Sequence, residues 1–152
     1  MHDFIQEPNI FSGQSLEDRD SVLRFIANRA AELDITDDAN GVYEAFQYRE
    51  SLDMTGMLEG FAIPHAKCAN IKRAAVIVVK NTHPVAWPSF DDIDCDIFIA
   101  LLVPDVEAGT THIKLLSKTA VLLTKDDFRK KIRETDDRAE IARIINEGVG
   151  TD

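Results

Sequence analysis

Two apolar stretches decide the fold of this chain: AAVIVV at residues 74–79 and DIFIALLV at residues 96–103. The first is rich in β-branched residues, which favour strands. Both stretches are continuous rather than alternating, and a continuous apolar run of this length is typical of a strand covered on both faces. We therefore predict two buried strands of a sheet that is covered on both faces. Between them lies HPVAWP at residues 83–88, whose prolines place it in a loop or at a sheet edge.

Two helices are predicted on the N-terminal side of these strands. A capping-box-like sequence at residues 15–18 predicts the start of the first helix, which is expected to end near Asp34. The sequence TDD at residues 36–38 predicts the start of the second, which is expected to run to Leu52 with that leucine facing inward.

Three more helices are predicted on the C-terminal side. One opens at Gly109-Thr110-Thr111-His112, and two short helices follow near residues 126–133 and 136–147. Helices on both sides of buried strands predict an α/β fold, in which helices cover both faces of the sheet.

Length, composition and charge restrict the class of protein. The chain has 152 residues, 45% of them hydrophobic and 29% charged, which suits a single domain over residues 1–152. The net charge of −10 argues against binding to nucleic acid or to anionic membrane surfaces. Without a recognisable signal peptide or membrane span, we expect a cytoplasmic protein with no direct membrane insertion. Cys68 and Cys95 form no metal-binding pair and are expected to be free thiols.

The stretch RESLDMTGMLEGFAIPHA at residues 49–66 combines an arginine, two glycines, an Ile-Pro step and a histidine. Pro64 fixes its own φ angle and restricts Ile63 to extended geometry, so His65 lies at a defined point after a short extended segment. The glycines allow tight or left-handed backbone nearby. Such a side chain suits the strand end at which ligands bind in open α/β sheets; the alternative is a structural loop histidine.

Two other side chains have the chemistry for phosphate. Arg49 is expected at the end of the second helix, where it either binds phosphate bidentately or forms a structural salt bridge with Glu50. His112 is expected in the first turn of a helix, whose N-terminus attracts phosphate and keeps an imidazole neutral; a capping or surface role is the alternative. A zinc site is disfavoured, because no close histidine pair exists and an arginine would oppose the cation.

From about Ile5 to Asn146 the chain resembles the fructose/mannitol-type enzyme IIA (EIIA) components of the bacterial phosphoenolpyruvate-dependent sugar phosphotransferase system. The resemblance is carried by Arg49-Glu50, Thr55-Gly56, Gly60, Ile63-Pro64-His65, FIALLVP at residues 98–104, His112 and Leu115-Leu116. It implies one EIIA type-2 domain, folded as a three-layer α/β/α sandwich with a mixed sheet.

The resemblance also implies a role for each site residue. His65 matches the phosphorylated histidine of the family, which reacts through Nε2, Arg49 matches the arginine beside it, and His112 matches the second histidine that helps to hold the phosphoryl group. The positions that shape the motif are Thr55, Gly56, Gly60 and Pro64.

The implied activity is that of a phosphotransferase without a metal or organic cofactor. The small carrier HPr would donate the phosphoryl group from its phosphohistidine, and a cysteine of an enzyme IIB (EIIB) partner would accept it during coupled sugar uptake and phosphorylation. A second possibility stays open: a regulatory module like the nitrogen-regulatory EIIA proteins, which use the same histidine as a switch that controls binding to transporters or kinases.

Overall fold

The computed structural model describes residues 5–105 and 110–150, and the side chains of residues 110–113, 115, 116 and 150 lie outside the described part. After a 3₁₀ turn at Glu7–Asn9, the elements in chain order are β1 (Ile10–Gln14), α1 (Arg19–Glu32), α2 (Ala39–Leu52), β2 (Phe61–Ala62), β3 (His65–Cys68), β4 (Ala75–Val85), β5 (Cys95–Pro104), α3 (Thr110–Leu123), α4 (Asp126–Glu134) and α5 (Arg138–Gly150).

The five strands form one mixed sheet with β5 near its centre. β4 pairs with one edge of β5 in antiparallel orientation, and β1 adds to β4 in parallel. β2 and β3 follow each other along the opposite edge of β5, both parallel to it, so that Phe61 faces Ile97 and His65 faces Leu101. The two predicted strands are therefore confirmed, and they form the antiparallel centre of the sheet.

β4 continues further than the sequence predicts. Residues 83–88 were predicted in a loop or at a sheet edge; residues 83–85 belong to β4, so the loop alternative was wrong for them. Pro84 is tolerated there because it lies in an irregular stretch between Lys80 and Val85, which are paired with β5, and beyond the end of β1 at Gln14. No ladder hydrogen bond needs the missing N–H group at that point.

Helices cover both faces of the sheet, which confirms the three-layer α/β/α sandwich. Alternate side chains of a strand point to opposite faces: Ile77 and Val79 pack in the cluster that contains α1 and α2, whereas Val76 and Val78 pack in the cluster with α3, α4 and α5. All residues of β5 from Ile97 to Pro104 are buried, which is why its sequence is continuously apolar rather than alternating.

The helix starts show how competing hydrogen bonds decide a boundary. The N-cap of α1 is Asp18, three residues after the predicted cap Ser15, and its side chain accepts from the N–H of Ser21 at 2.8 Å. The capping box at residues 15–18 was wrong, because the Asn81 side chain bonds both backbone groups of Leu16 and holds it outside a helix. α2 begins as predicted, after the N-cap Asp38.

The described side chains settle two smaller expectations. Leu52, predicted to face inward, is 62% exposed because it ends α2 at the rim of a surface cavity. Both cysteines are free, with Cys68 half-buried and Cys95 buried.

In the part of the chain that the structure describes, no helix is long and apolar enough to cross a membrane.

Candidate active site around His65

His65 is the first residue of β3, and the backbone on its N-terminal side is held from two directions. The N–H of Ile63 donates to the carbonyl of Thr55 at 2.9 Å, and the carbonyl of Pro64 accepts from the N–H of Leu101 in β5 at 2.9 Å. The histidine itself is only 5% exposed. The Ile-Pro step therefore places His65 at a fixed point against the central strand, as its sequence predicts.

Two contacts orient the imidazole ring of His65. Nδ1 lies 3.0 Å from the carbonyl oxygen of Ile63, which can only accept, so Nδ1 carries the ring proton. On the other side, Nε of Arg49 donates to Nε2 at 2.6 Å, so Nε2 presents a lone pair. Both contacts require the same neutral tautomer, with Nε2 as the nucleophilic nitrogen.

Arg49 lies in the last turn of α2 and reaches over the histidine. Besides the bond to His65, its Nη1 donates to the carbonyl of Asp53 at 2.9 Å, so the guanidinium is anchored to the backbone that leaves α2. Glu50, considered above as its structural partner, instead lies 3.9 Å from Arg19. The geometry therefore favours the functional alternative for Arg49, because its fork is directed at His65.

Thr55 joins the side chains of Glu50 and Trp87, a connection that the sequence analysis did not predict. Its Oγ1 donates to Oε2 of Glu50 at 2.6 Å and accepts from Nε1 of Trp87 at 3.0 Å. The Glu50 side chain is only 3% exposed; burial raises the pKa of its carboxyl, although Thr55 and nearby arginines act in the opposite direction. The available signal was helical spacing, since Glu50 follows Phe46 by four residues on the apolar face of α2.

The two glycines of the motif are required by close backbone approach. A Cβ at Gly56 would lie 2.3 Å from the carbonyl oxygen of Pro88, because the segment around Gly56 forms bridges to both Ala62 and Ser89. Gly60 has a φ of +88°, and its carbonyl accepts from the N–H groups that begin β5. The glycines thus shape the turn that leads into β2 and then to His65.

A cavity of about 310 Å³ opens beside the histidine, lined by Ala45, Tyr48, Arg49, Leu52, His65 and Lys67. Tyr48 and Leu52 are 67% and 62% exposed and give its rim an apolar character. Lys67 and Arg49 add two positive charges in a chain whose net charge is −10. The cavity can therefore attract an anion while its rim offers apolar contact to a partner surface.

His112 lies in the first turn of α3, as predicted, because that helix begins at Thr110. Its side chain is outside the described part of the structure, so its contribution to the site stays a prediction. Among the described residues, no group of three or more His, Cys, Asp or Glu side chains could hold a metal ion.

Sequence comparison relates the chain to two kinds of protein. The family model described as "Phosphoenolpyruvate-dependent sugar phosphotransferase system, EIIA 2" matches residues 3–148. A PTS system 2-O-alpha-mannosyl-D-glycerate-specific EIIABC component of Escherichia coli (strain K12) is 31% identical over 134 residues, which are 88% of this chain but only 20% of that protein. A nitrogen regulatory protein of Bradyrhizobium diazoefficiens is 29% identical over 143 residues, 94% of this chain and 92% of that protein.

Solved structures show the same fold. The nitrogen regulatory protein IIA-Ntr from Neisseria meningitidis superposes with a TM-score of 0.86 at 23% identity, covering 93% of this chain and 96% of that one. The enzyme IIAMTL in a complex with phosphorylated enzyme IIBMTL from Escherichia coli gives a TM-score of 0.78 at 16% identity, covering 93% and 96%.

Proposed function

Because the chain belongs to the EIIA type-2 family of the phosphoenolpyruvate-dependent sugar phosphotransferase system, we propose that it is a phosphocarrier whose His65 accepts a phosphoryl group from phosphorylated HPr. One observation carries this proposal. The Ile63 carbonyl holds the proton on Nδ1, and Nε2 faces the guanidinium of Arg49. A lone pair beside a cationic fork is the arrangement that a phosphoryl acceptor needs.

The proposed reaction needs no proton transfer within the site. The Nε2 lone pair attacks phosphorus in line, the N–P bond to the HPr imidazole breaks, and its electron pair returns to that ring. The proton of His65 stays on Nδ1, bonded to the carbonyl of Ile63. The positive charge that the His65 ring gains is offset by the anionic phosphoryl group attached to it.

Arg49 has to change partner during this step. In the unphosphorylated protein its Nε occupies the lone-pair direction of Nε2, so the guanidinium has to move aside as phosphorus approaches. Its donors can then bind the equatorial phosphoryl oxygens, to which they form stronger, charge-assisted bonds. We assign His112 to the same task, from the position of its backbone at the N-terminus of α3.

The proposed acceptor is a cysteine of an EIIB protein, which makes the chain a phosphotransferase of the sugar uptake system. The structural likeness to an EIIA bound to phosphorylated EIIB supports this class of partner. The apolar rim around the cavity supports docking, since water must be excluded from a phosphohistidine. In this role the chain acts in the cytoplasm as one domain over residues 1–152, with neither cofactor nor membrane insertion.

A regulatory function is the second candidate, and one observation favours it. Nitrogen regulatory proteins are among the relatives of this chain, and the one from Bradyrhizobium diazoefficiens is 29% identical to it over 94% of this chain. In such a role His65 would be phosphorylated by the same donor, but its state would control binding to a transporter or kinase.

The first test is intact-protein mass spectrometry after incubation with phosphoenolpyruvate, enzyme I and HPr. We expect one acid-labile phosphoryl group on the wild-type chain and none on His65→Ala. Failure of the wild type to gain mass while HPr is phosphorylated would refute the carrier role. Adding purified fructose- and mannitol-type EIIB proteins then separates the two candidates: transfer to an EIIB cysteine supports sugar uptake, and retention of the phosphoryl group supports regulation.

A further inference from the structure

Glu50 is an acid with a buried side chain, next to Arg49 in the chain, and it takes no direct part in the proposed phosphoryl transfer. Its side chain is 3% exposed, and Oε1 lies 3.9 Å from Nη1 of Arg19. Oε1 is buried without a hydrogen-bond partner within the described residues. Such a group lowers stability, because burial of a carboxylate is compensated only by complete hydrogen bonding and close pairing.

The other carboxyl oxygen of Glu50 fixes the direction of the Thr55 hydroxyl. Trp87 Nε1 can only donate, so the Thr55 oxygen accepts from it at 3.0 Å. The single hydroxyl proton of Thr55 is therefore available to Glu50, to which it donates at 2.6 Å. Thr55 is 4% exposed, and these two hydrogen bonds fix the position of its side chain.

The backbone of Thr55 continues this chain of contacts to the reacting ring. Its carbonyl accepts the N–H of Ile63 at 2.9 Å, and the carbonyl of the same Ile63 accepts the Nδ1 proton of His65 at 3.0 Å. Both backbone hydrogen-bonding groups of Ile63 are thus occupied, one by Thr55 and one by the histidine. A shift of Thr55 would move the carbonyl that selects the tautomer.

We propose that Glu50 is a positioning residue for phosphoryl transfer, acting through Thr55 and Ile63 to keep the ring proton of His65 on Nδ1. The inference rests on the proposed function, and it assigns a role to an acid that packing alone would not favour. Had the position served only the core, an apolar side chain on this face of α2 would have been at least as stable. In this proposal Glu50 orients the ring of His65 and lowers the free energy of unfolding of the protein.

If Glu50 were only structural, its replacement would lower the stability and disturb His65 together. We expect instead that the stability is kept while the tautomer and the phosphorylation rate of His65 change. Replacement of Glu50 with methionine removes the acceptor for Thr55 and keeps an unbranched side chain with high helix propensity. We expect the urea midpoint of Glu50→Met to equal or exceed that of the wild type. We also expect the Nε2–H tautomer of His65 to appear in nitrogen-15 imidazole spectra, and the phosphorylation rate to fall about tenfold, as one lost hydrogen bond predicts.

Glu44→Met is the matched control, since Glu44 lies on the same helix but is exposed; it should keep the wild-type tautomer and rate. Thr55→Val and Thr55→Ser form a second pair that does not alter Glu50. Valine removes the hydroxyl and should reproduce the change in tautomer, whereas serine keeps the hydroxyl and should restore it.

A Glu50→Met protein with the wild-type tautomer and rate would overturn the proposal, whatever its stability. If that variant did not fold, equal tautomer populations in the two Thr55 variants would overturn it instead. The spectra use unphosphorylated protein, so they are independent of HPr. Should the wild type not be phosphorylated, the proposed function would fail, and the tautomer would still decide whether Glu50 orients His65.

Discussion

Replacement of Gly56 with alanine tests whether the motif around His65 is shaped by backbone contact. The new Cβ would lie 2.3 Å from the carbonyl oxygen of Pro88, and 2.6 and 2.8 Å from Cβ and Cα of Ser89. All three distances are far inside van der Waals contact. Two of the three atoms belong to the backbone, so no change of rotamer can relieve the overlap and the two segments have to separate.

The cost of that separation has two parts. Overpacking of this kind costs about 1–3 kcal/mol, and separation breaks the bond from the N–H of Gly56 to the carbonyl of Pro88, at 3.1 Å, which contributes about 0.5–1.5 kcal/mol. We therefore expect a loss of about 2–4 kcal/mol in the free energy of unfolding, or a fall in melting temperature of about 10 °C for a chain of this size. Because Gly56 also bridges to Ala62, phosphorylation of His65 should slow as well.

Urea unfolding at equilibrium measures this loss, and Gly13→Ala is the matched control. Gly13 differs from Gly56 in having a positive φ, +67°, and a Cβ there meets no atom within 4 Å. That variant should lose only about 1–2 kcal/mol, the strain of a left-handed alanine. If Gly56→Ala unfolded at the wild-type urea concentration, or lost less stability than Gly13→Ala, the argument from backbone contact would be refuted.

Other parts of the structure give four further predictions. Arg49→Lys should slow phosphorylation by phospho-HPr about 10- to 100-fold in rapid-quench assays, the equivalent of one lost charge-assisted hydrogen bond of about 1.5–3 kcal/mol. Lys80 is buried and donates to carbonyls at the C-terminal end of α4, so Lys80→Met should lower the free energy of unfolding in urea by about 2–4 kcal/mol. Burial raises the pKa of Glu50 above its ordinary 4.5, against the effects of Arg19 and Arg49. Glu50→Gln should therefore raise the free energy of unfolding near pH 7, and this gain should fade as the pH falls through the raised pKa and vanish below 4.5, as urea titrations at each pH can check. Burial also raises the pKa of the Cys95 thiol to about 12, so peptide mass spectrometry should find it alkylated by iodoacetamide in urea and not in the native protein.

Local patterns were sufficient for much of the fold. The two apolar stretches became β4 and β5 because a strand buried on both faces has no polar face to reveal in its sequence. The helices followed from apolar spacing and from acidic caps such as Asp38. The Ile-Pro step before His65 was equally informative, since proline fixes its own backbone and restrains the residue before it.

What the sequence could not supply is pairing over long distances. β2 has two residues and β3 four, too few for a periodic pattern, and their shared edge is defined by β5, more than thirty residues away. The hydrogen bond from Trp87 to Thr55 spans 32 residues, so neither residue shows in its own neighbourhood that the two are in contact. The spacing of Glu50 from Phe46 could have shown that it faces inward, but nothing near it in the sequence indicates Thr55 as its partner.

The contact between Arg49 and His65 bears on how a phosphocarrier hands its group on. An arginine that bound only the phosphoryl group would stabilise the phosphorylated state by its full interaction energy and slow the next transfer. Here the same guanidinium already has partners in the unphosphorylated state, at Nε2 of His65 and the carbonyl of Asp53. In the proposed reaction, phosphorylation would therefore exchange one set of hydrogen bonds for another, and only the difference between them would stabilise the phosphohistidine. The same difference applies at the transition state, in which phosphorus lies between donor and acceptor nitrogens, and the phosphohistidine that follows is therefore not a deep minimum. A carrier in the proposed cascade needs this balance, because it must accept and release the same group with comparable ease.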